Sequence, residues 1–436
     1  MTPIRVGLLG IGTVGGGTFN VLRRNREEIT RRAGRDIRIT VIADKDLARA
    51  RLLAGDDVAL IDDAFAVTRD PDVDIVAELI GGTGIARELI LAAIGNGKHV
   101  VTANKALIAE HGNEIFAAAR ETGVMVAFEG AVAGGVPIIK SLREGLTANR
   151  IEWIAGIING TSNFILSEMR DKGLDFATVL AEAQRRGYAE ADPTFDIEGI
   201  DAAHKLTIMA AISFGIPMRF AQAYTEGISQ LTQEDIRYAE ELGYRIKLLG
   251  ITKSKPAGIE LRVHPALIPT RRLIANVEGV MNAILVKGDA VGQTLYYGAG
   301  AGAEPTASAV VADLVDMARM LAANSEHRVP HFGFQSDALS DTPILPMAEV
   351  ETSYYLRMRV ADRPGVLADI TRILAVRSIS IEAMVQKEPD AGEDQADIIM
   401  LTHRTLEKYV NAAITEIENL PVMYGKVTRI RVEELL

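Results

Sequence analysis

The sequence predicts an α/β protein, with a parallel sheet wound on both sides at the N-terminus and a smaller α+β unit at the C-terminus. Three observations predict it. An apolar run, Ile4 to Leu9, passes through Gly10, Gly12 and Gly15 into a helical pattern at Val14, Thr18, Val21 and Leu22. Beyond it, apolar segments alternate with helical ones as far as Glu129, the order that builds a parallel, doubly wound sheet. From Tyr354 onward the chain has a βαββαβ order of its own.

Composition narrows the function classes. The chain has 436 residues, of which 48% are hydrophobic, enough for about two to four domains. No uninterrupted apolar stretch is long enough to span a bilayer, and the first strand leaves no room for a signal peptide, so a cytoplasmic protein is expected. A net charge of −11 without a basic block argues against nucleic acid as a partner. The sequence contains no cysteine, which excludes disulfides, cysteine–zinc sites and a thiol nucleophile. Oxidation of an aldehyde to an acyl group commonly uses such a thiol. A dehydrogenase built from this chain therefore suits alcohol–carbonyl interconversion.

The first element, Ile4 to Leu9, reads as a buried strand. Gly10 permits the tight turn, Gly12 lets a pyrophosphate approach the backbone, and Gly15 lets the helix pack close to the strand. The N-terminus of the helix that follows offers unpaired N–H groups and a partial positive charge to phosphate. A second strand, Ile37 to Ala43, ends at Asp44, an acid placed to accept from an adenosine ribose. Strand, glycines, helix, strand and acid in this order mark a Rossmann-type nucleotide-binding sheet. Asp44 favours a free 2′-hydroxyl, hence NAD, while Lys45 and Arg49 stand ready for a 2′-phosphate, hence NADP. Strands follow at Asp74 to Ile80, His99 to Ala103 and Val124 to Glu129, with helices at Ala86 to Gly95 and Ile108 to Thr122. The carboxyl ends of such strands bind ligands. They carry Gly82-Thr83, Asn104-Lys105 and Glu129-Gly130. Each could be an ordinary loop, but Lys105 is a long cation where phosphate or substrate would sit.

Around Pro137 the pattern changes. A helix is expected over Ile138 to Thr147 and a strand over Ile151 to Ile158. Thr161 or Ser162 is placed to cap a helix from Asn163 to Lys172. After a helix at Phe176 to Arg186 comes GYAEADPTFDIEGIDAAHKL, which concentrates Glu190, Asp192, Asp196, Glu198 and Asp201 before Lys205. Asp201 and Lys205 are four apart and share a helix face. As an exposed ion pair they would contribute only a few tenths of a kcal/mol. The apolar continuation LTIMAAISFG argues instead for a buried pair. In a pocket such a lysine can give a proton to a carbonyl oxygen and take it back from an alcohol. Burial would have to lower its pKa from about 10.4 for the base role. The nearby acids can hold the ammonium group of an amino-acid substrate.

Arg262 to Leu267 reads as a strand, and GAGAGAEPTAS opens a helix that runs through Leu321. Its Gly302 is either loop or backbone packed against a cofactor. A polar stretch with Pro330, Pro343 and Pro346 reads as a linker. The last unit then has strands at Tyr354 to Val360, Ser378 to Gln386, Ala396 to Thr402 and Val422 to Val432, helices at Gly365 to Ala375 and Leu406 to Leu420, and an acidic loop at Glu388 to Asp394. It holds no catalytic constellation, which suggests binding or regulation. The expected divisions are residues 1–136, the nucleotide-binding domain; 137–300, a substrate and dimerisation domain; 301–325, a helix returning to the first domain; 326–351, the linker; and 352–436, the regulatory domain.

The stretches GLLGIGTVGGG, TANKALIA, FEGAVAGGVPII, GIINGTSNFIL, GYAEADPTFDIEGIDAAHKL, GAGAGAEPTASAVVADL and ADRPGVLADITRIL stand in one order along the whole chain. In them the sequence resembles a homoserine dehydrogenase of the monofunctional kind with a C-terminal ACT domain; no kinase segment is expected ahead of it. The resemblance implies interconversion of L-homoserine and L-aspartate 4-semialdehyde with NAD or NADP. It implies that Lys205 transfers the proton and that Lys105 sits near the nicotinamide and substrate. It implies that Glu190 binds homoserine, with Asp196 and Asp201 completing the polar pocket. Gly10, Gly12, Thr13, Val14, Thr83, Lys105 and Gly302 would line the cofactor. A monovalent cation such as sodium would sit at Glu129, Val132, Gly134 and Val136, largely on backbone carbonyls. The ACT domain implies control by an amino acid, threonine first, near Asp362, Arg363, Pro364 and Gly365. A homodimer or homotetramer is expected. Two other readings stand beside this one: a non-catalytic amino-acid sensor on a nucleotide-binding scaffold, and another amino-acid or hydroxy-acid dehydrogenase. Lys105, Glu190, Asp201 and Lys205 weigh against the first, and NGTSN with EADPTFDIEGIDAAHK against the second.

Overall fold

The computed structural model describes residues 2–321, 328–387 and 394–436. Of the expected linker, residues 326–327 lie outside the described residues, as do 388–393 of the acidic loop. The chain divides into two compact units: Met1–Gly160 with Ile200–Ala223 and Val280–Thr342, and Thr161–Gly199 with Tyr224–Gly279 and Pro343–Leu436.

The first unit is built on a parallel sheet. Its strands are β1 (Ile4–Leu9), β2 (Ile37–Ala43), β3 (Ala59–Ile61), β4 (Ile75–Glu78), β5 (His99–Thr102) and β6 (Val126–Ala127), in the order β3-β2-β1-β4-β5-β6. All these pairings are parallel. The order reverses between β1 and β4, so the binding crevice of a doubly wound sheet opens at the carboxyl ends of those strands. The apolar run of β1 is buried because helices cover the sheet: Val6 and Leu8 share a core with Phe19 and Leu22, and with Val310 and Leu314 of the Ala303–Met320 helix. Each such side chain removed from water contributes about 1.5–3 kcal/mol. The Ala303–Met320 helix comes so close to Thr13–Arg24 that a Cβ on Gly17 would lie 2.4 Å from the Ala303 carbonyl oxygen. Glycine at position 17 is what lets these helices meet.

Several expected elements differ here: β4 is shorter than Asp74 to Ile80, and the helix expected from Ile108 begins at Lys105. β6 is shorter than Val124 to Glu129, because the Glu129 N–H leaves the ladder to donate to Asp313 Oδ2 at 2.8 Å and the chain enters a 3-10 turn, Glu129–Ala131. The helix expected over Ile138 to Thr147 is an α turn, Ile138–Lys140, followed by a π turn, Ser141–Gly145. The unit also holds an antiparallel group in the order Gly292–Ala299, Met281–Gly288, Ile151–Ile157. The Ile200–Phe214 helix is buried nearly all round, as its apolar sequence requires.

The second unit carries the long antiparallel pair Tyr244–Lys255 and Gly258–Pro269. Thr428–Val432 joins the latter strand in parallel, with Ala266 opposite Arg431 and Leu267 opposite Val432. Glu351–Ala361, Gln395–Thr402 and Ile381–Gln386 follow in antiparallel order. With the helices Val366–Val376 and Glu407–Glu418 these strands make the expected βαββαβ unit, closed over Leu356, Met358, Ile370, Leu374, Ile398 and Val410. The final strand is shorter than Val422 to Val432. Arg431 is fully buried between the carboxylates of Glu226, at 2.9 Å, and Glu407, whose Oε2 accepts from Nε at 2.7 Å. The helix Gly160–Lys172 starts ahead of Thr161 and Ser162, so neither caps it. Their hydroxyls instead donate to the carbonyls of Tyr188 at 2.7 Å and Asp196 at 2.9 Å, tying the helix to the acidic loop.

Candidate active site

At the end of β1 the chain turns on Gly10, whose φ is +90° and whose N–H donates to the Ala43 carbonyl at 2.9 Å. A Cβ on Gly15 would fall 2.0 Å from the Gly10 carbonyl oxygen, so the helix can start this close to its strand only with glycine there. Gly12 caps the helix without a side-chain hydrogen bond, and a Cβ there would meet no atom within 4 Å. Thr13 and Val14 follow as the first helical residues. Open space over a helix N-terminus without a side-chain cap fits a pyrophosphate. Asp44 braces this turn: its Oδ2 accepts the Ile11 N–H at 2.6 Å and its Oδ1 the Asp46 N–H at 2.8 Å. Each oxygen keeps a lone pair for a ribose hydroxyl. A cavity of about 320 Å³ lies against Gly12, Asp44, Lys45 and Arg49. Thr83 is half-buried in the loop after β4. Gly302, with φ +121°, caps the Ala303–Met320 helix, again without a side-chain bond.

The charged groups of the same unit that the sequence singles out gather where two helices begin. Asn104 accepts the Leu107 N–H at 3.2 Å and so caps the Lys105–Thr122 helix, which makes Lys105 its first residue. Asp201 lies in the first turn of Ile200–Phe214, where the helix dipole favours a carboxylate. Its Oδ1 stands 3.2 Å from Lys105 Nζ, and its Oδ2 accepts from Lys205 Nζ at 2.7 Å and from Asn159 Nδ2 at 2.8 Å. Lys205 Nζ also donates to the Ile158 carbonyl at 2.7 Å. Lys205 is 8% exposed and Asp201 4%; the Lys105 side chain is 35% exposed. Burial pushes the Asp201 carboxyl up, but Lys205 and then Lys105 outweigh it and hold the group well below the usual carboxylate range. The pair predicted from i,i+4 spacing is thus a buried lysine–carboxylate–lysine bridge. His204, one residue before Lys205, is buried, stacked on Phe220 and 3.1 Å from Glu110 Oε1. Burial lowers its basicity against the opposing pull of Glu110.

The remaining acids belong to the second unit. Glu190 is exposed, and its carbonyl accepts from Gln184 Nε2 at 3.1 Å. Asp192 Oδ1 accepts the Thr194 N–H at 3.1 Å. Asp196 is half-buried. A short helix, Thr194–Ile197, shapes this loop, and Ile197 holds it to the Ile228 N–H at 2.8 Å.

Residues 10–129 match the homoserine dehydrogenase NAD-binding domain, residues 137–315 the homoserine dehydrogenase domain and residues 354–422 the ACT domain. A homoserine dehydrogenase of Pseudomonas aeruginosa is 62% identical, with 100% of both chains covered. The chain belongs to the homoserine dehydrogenase family. The crystal structure of a homoserine dehydrogenase from Thiobacillus denitrificans superposes with a TM-score of 0.96 at 72% identity, covering 100% of this chain and 99% of that one. A hyperthermophilic archaeal homoserine dehydrogenase mutant in complex with NADPH is 26% identical over 74% of this chain and 99% of that one, with a TM-score of 0.63. The chain is therefore an oxidoreductase of the homoserine dehydrogenase family, with an NAD-binding domain and an ACT domain.

In this family member the loop read as a cation site is tightly folded. Glu129 is buried, and its carboxylate accepts the N–H groups of Ile139 at 3.0 Å and Lys140 at 2.8 Å. Burial, then the neighbouring Asp313, pushes it up to about 7. Ala133 takes a φ of 54° and Gly134 of 47°, which turns the backbone sharply between Val132 and Val136. Among the described residues no cluster of three or more His, Asp or Glu side chains is arranged to hold a metal ion. No helix among them is long and apolar enough to cross a membrane. In the ACT domain, Asp362, Arg363, Pro364 and Gly365 form an exposed turn before the Val366–Val376 helix, with Gly365 at φ +96°.

Sequence reasoning missed Asn159 and the His204–Glu110 pair. Asn159 sits in the quoted motif NGTSN, but there it reads only as part of the turn after a strand; its bond to Asp201 joins residues 42 apart. Nothing in the local pattern links residue 110 to residue 204.

Proposed function

We propose that this enzyme interconverts L-homoserine and L-aspartate 4-semialdehyde, in the supply of threonine, methionine and isoleucine, with Lys205 as the proton-transferring group. The bridge from Lys105 through Asp201 to Lys205 carries the reading, with 3.2 Å and 2.7 Å separations. A bound nicotinamide would supply the hydride acceptor. Lys205 Nζ takes the hydroxyl proton of homoserine and returns it to the aldehyde oxygen in the reverse direction. Asp201 fixes the Nζ position and balances its charge. Lys105 orients substrate and cofactor. Glu190 and Asp196 are proposed as binders of the substrate ammonium group. Gly10, Gly12, Thr13, Val14, Gly15, Thr83 and Gly302 are proposed to hold the cofactor, with Asp44 at the ribose. Lys45 and Arg49 at the same cavity make NADP as well as NAD acceptable.

We further propose that a sodium ion occupies the Glu129–Val136 loop and that the assembly is a homodimer or homotetramer in the cytoplasm. Threonine is proposed to inhibit through the ACT turn at Asp362 to Gly365. The test follows nicotinamide absorbance with L-homoserine, using NAD and NADP in turn, with and without L-threonine. Turnover that is homoserine-dependent and reduced by threonine is expected. No turnover with either cofactor would remove the reaction, and full turnover at saturating threonine would remove the regulator.

A further inference from the structure

Glu78 and Thr102 end adjacent parallel strands, opposite one another in register, and both are fully buried. Packing alone would be served by apolar residues there, and burying a carboxylate is costly unless donors surround it. Donors do. Glu78 Oε1 accepts the N–H groups of Ile80 at 2.9 Å and Gly81 at 3.0 Å. Its Oε2 accepts the Thr102 hydroxyl at 2.8 Å. The Thr102 oxygen in turn accepts the Asn104 N–H at 3.0 Å. Asn104 caps the helix through Leu107 and donates from Nδ2 to the Gly82 carbonyl at 2.6 Å. The bonds close a ring: Glu78, the Ile80–Gly82 loop, Asn104, Thr102 and back to Glu78. Gly81 and Gly82 take φ of 87° and 77°, so the loop can follow this path.

We propose that Glu78 and Thr102 are positioning residues that lock the loop carrying Thr83 to the helix start carrying Lys105. A carboxylate only accepts, so it commits the Thr102 proton to itself and leaves a Thr102 lone pair for Asn104. The polarity of the whole ring follows from that one charge. Thr83 follows Gly82 directly, and Lys105 follows Asn104 directly; the ring thereby sets the distance from the cofactor loop to the amine that meets Asp201 at 3.2 Å. The inference rests on the reading of Lys105 and Thr83 as cofactor and substrate contacts.

The test uses the full-length enzyme and measures kcat, KM for homoserine, nicotinamide-cofactor Kd by fluorescence, and the melting temperature. Thr102→Val cuts the ring at the helix while leaving the Glu78 bonds to the loop. Its kcat is expected to fall about tenfold or more, as for a small misplacement of a reacting group, with cofactor Kd changed by less than about threefold. Thr102→Ser should restore the rate. Glu78→Gln keeps the volume but turns the Thr102 hydroxyl, and is expected to weaken cofactor binding as well as kcat. Lys105→Met reports on the underlying reading. If it loses turnover while Thr102→Val and Glu78→Gln both keep wild-type kcat and Kd, the positioning proposal falls alone. If Lys105→Met keeps wild-type turnover, the role of Lys105 falls and the proposal with it. A loss of kcat in Thr102→Val that Thr102→Ser does not restore also overturns it.

Discussion

Each unit of the molecule buries a lysine amine, and the two are held differently. Lys205 lies on a helix, 2.7 Å from a carboxylate that it shares with a second, part-exposed lysine. Lys247 lies on the Tyr244–Lys255 strand, 1% exposed, donating to Asn163 Oδ1 at 3.0 Å and to the Val277 carbonyl at 2.6 Å. The Glu278 carboxylate is 3.6 Å from it and is also claimed by Arg170 at 3.0 Å and Arg245 at 2.7 Å. Burial lowers Lys247 to about 8, against the pull of Glu278. A depressed lysine is often taken as a mark of a reactive site. Here that mark falls on an amine fixed by backbone and amide oxygens, where it ties a helix and a strand together. What sets Lys205 apart is its partner: a buried acid whose second oxygen faces a cation that reaches solvent. Such an arrangement can exchange charge with a bound molecule, whereas that of Lys247 is closed by protein oxygens.

The comparison is most severely tested at Lys205. Lys205→Met should lower kcat by about 10²- to 10⁴-fold, the usual contribution of a positioned acid–base group, with cofactor binding nearly unchanged. Steady-state kinetics beside cofactor titration check this, and a rate near wild type would make the two lysines equivalent. Lys247→Met should act on stability instead. It removes a charged donor from the Asn163 oxygen and from the Val277 carbonyl, which still accepts from Asn163 Nδ2 at 3.1 Å, at a cost of about 1.5–3 kcal/mol for lost hydrogen bonds to a charged group. The urea midpoint reads the loss, and kcat of the folded fraction should remain.

The smallest effect is a pH slope. Lys247 titrates near 8 when folded and at about 10.4 when unfolded. Between those values the unfolded chain holds a proton that the folded chain has released, so this group makes stability rise with pH across that window, by up to about 3 kcal/mol. Below pH 8 the amine is charged in both states and the full penalty is present. Denaturation at pH 8 and pH 10 should show a smaller upward change in Lys247→Met than in the wild type, and identical slopes would contradict the depressed value.

Much of the fold was legible because its signals are local. The bounds of β1 and β2 follow from apolar runs ended by Gly10 and Asp44. The i,i+4 spacing of Asp201 and Lys205 on an apolar helix was enough to place them together. Thr161 and Ser162 misled for a local reason too: both are good caps, but Gly160 already starts the helix and tertiary partners take their hydroxyls. Lys247 gave no signal, since a lysine in an apolar strand looks like an edge residue until its partners are known.

By itself, then, the amino-acid order determined the glycine turn, the alternation of strands and helices, the C-terminal βαββαβ order and the lysine–carboxylate pair, because steric limits and hydrophobic periodicity act within a few residues. Only the tertiary structure decided that Lys105 reaches the far oxygen of Asp201, that Asn159 and the Ile158 carbonyl complete the bridge, and that Glu78, Thr102 and Asn104 bond the loop after β4 to the start of the Lys105–Thr122 helix. Those meetings join segments far apart in the chain, and their geometry is set by packed strands and helices rather than by any neighbouring residue.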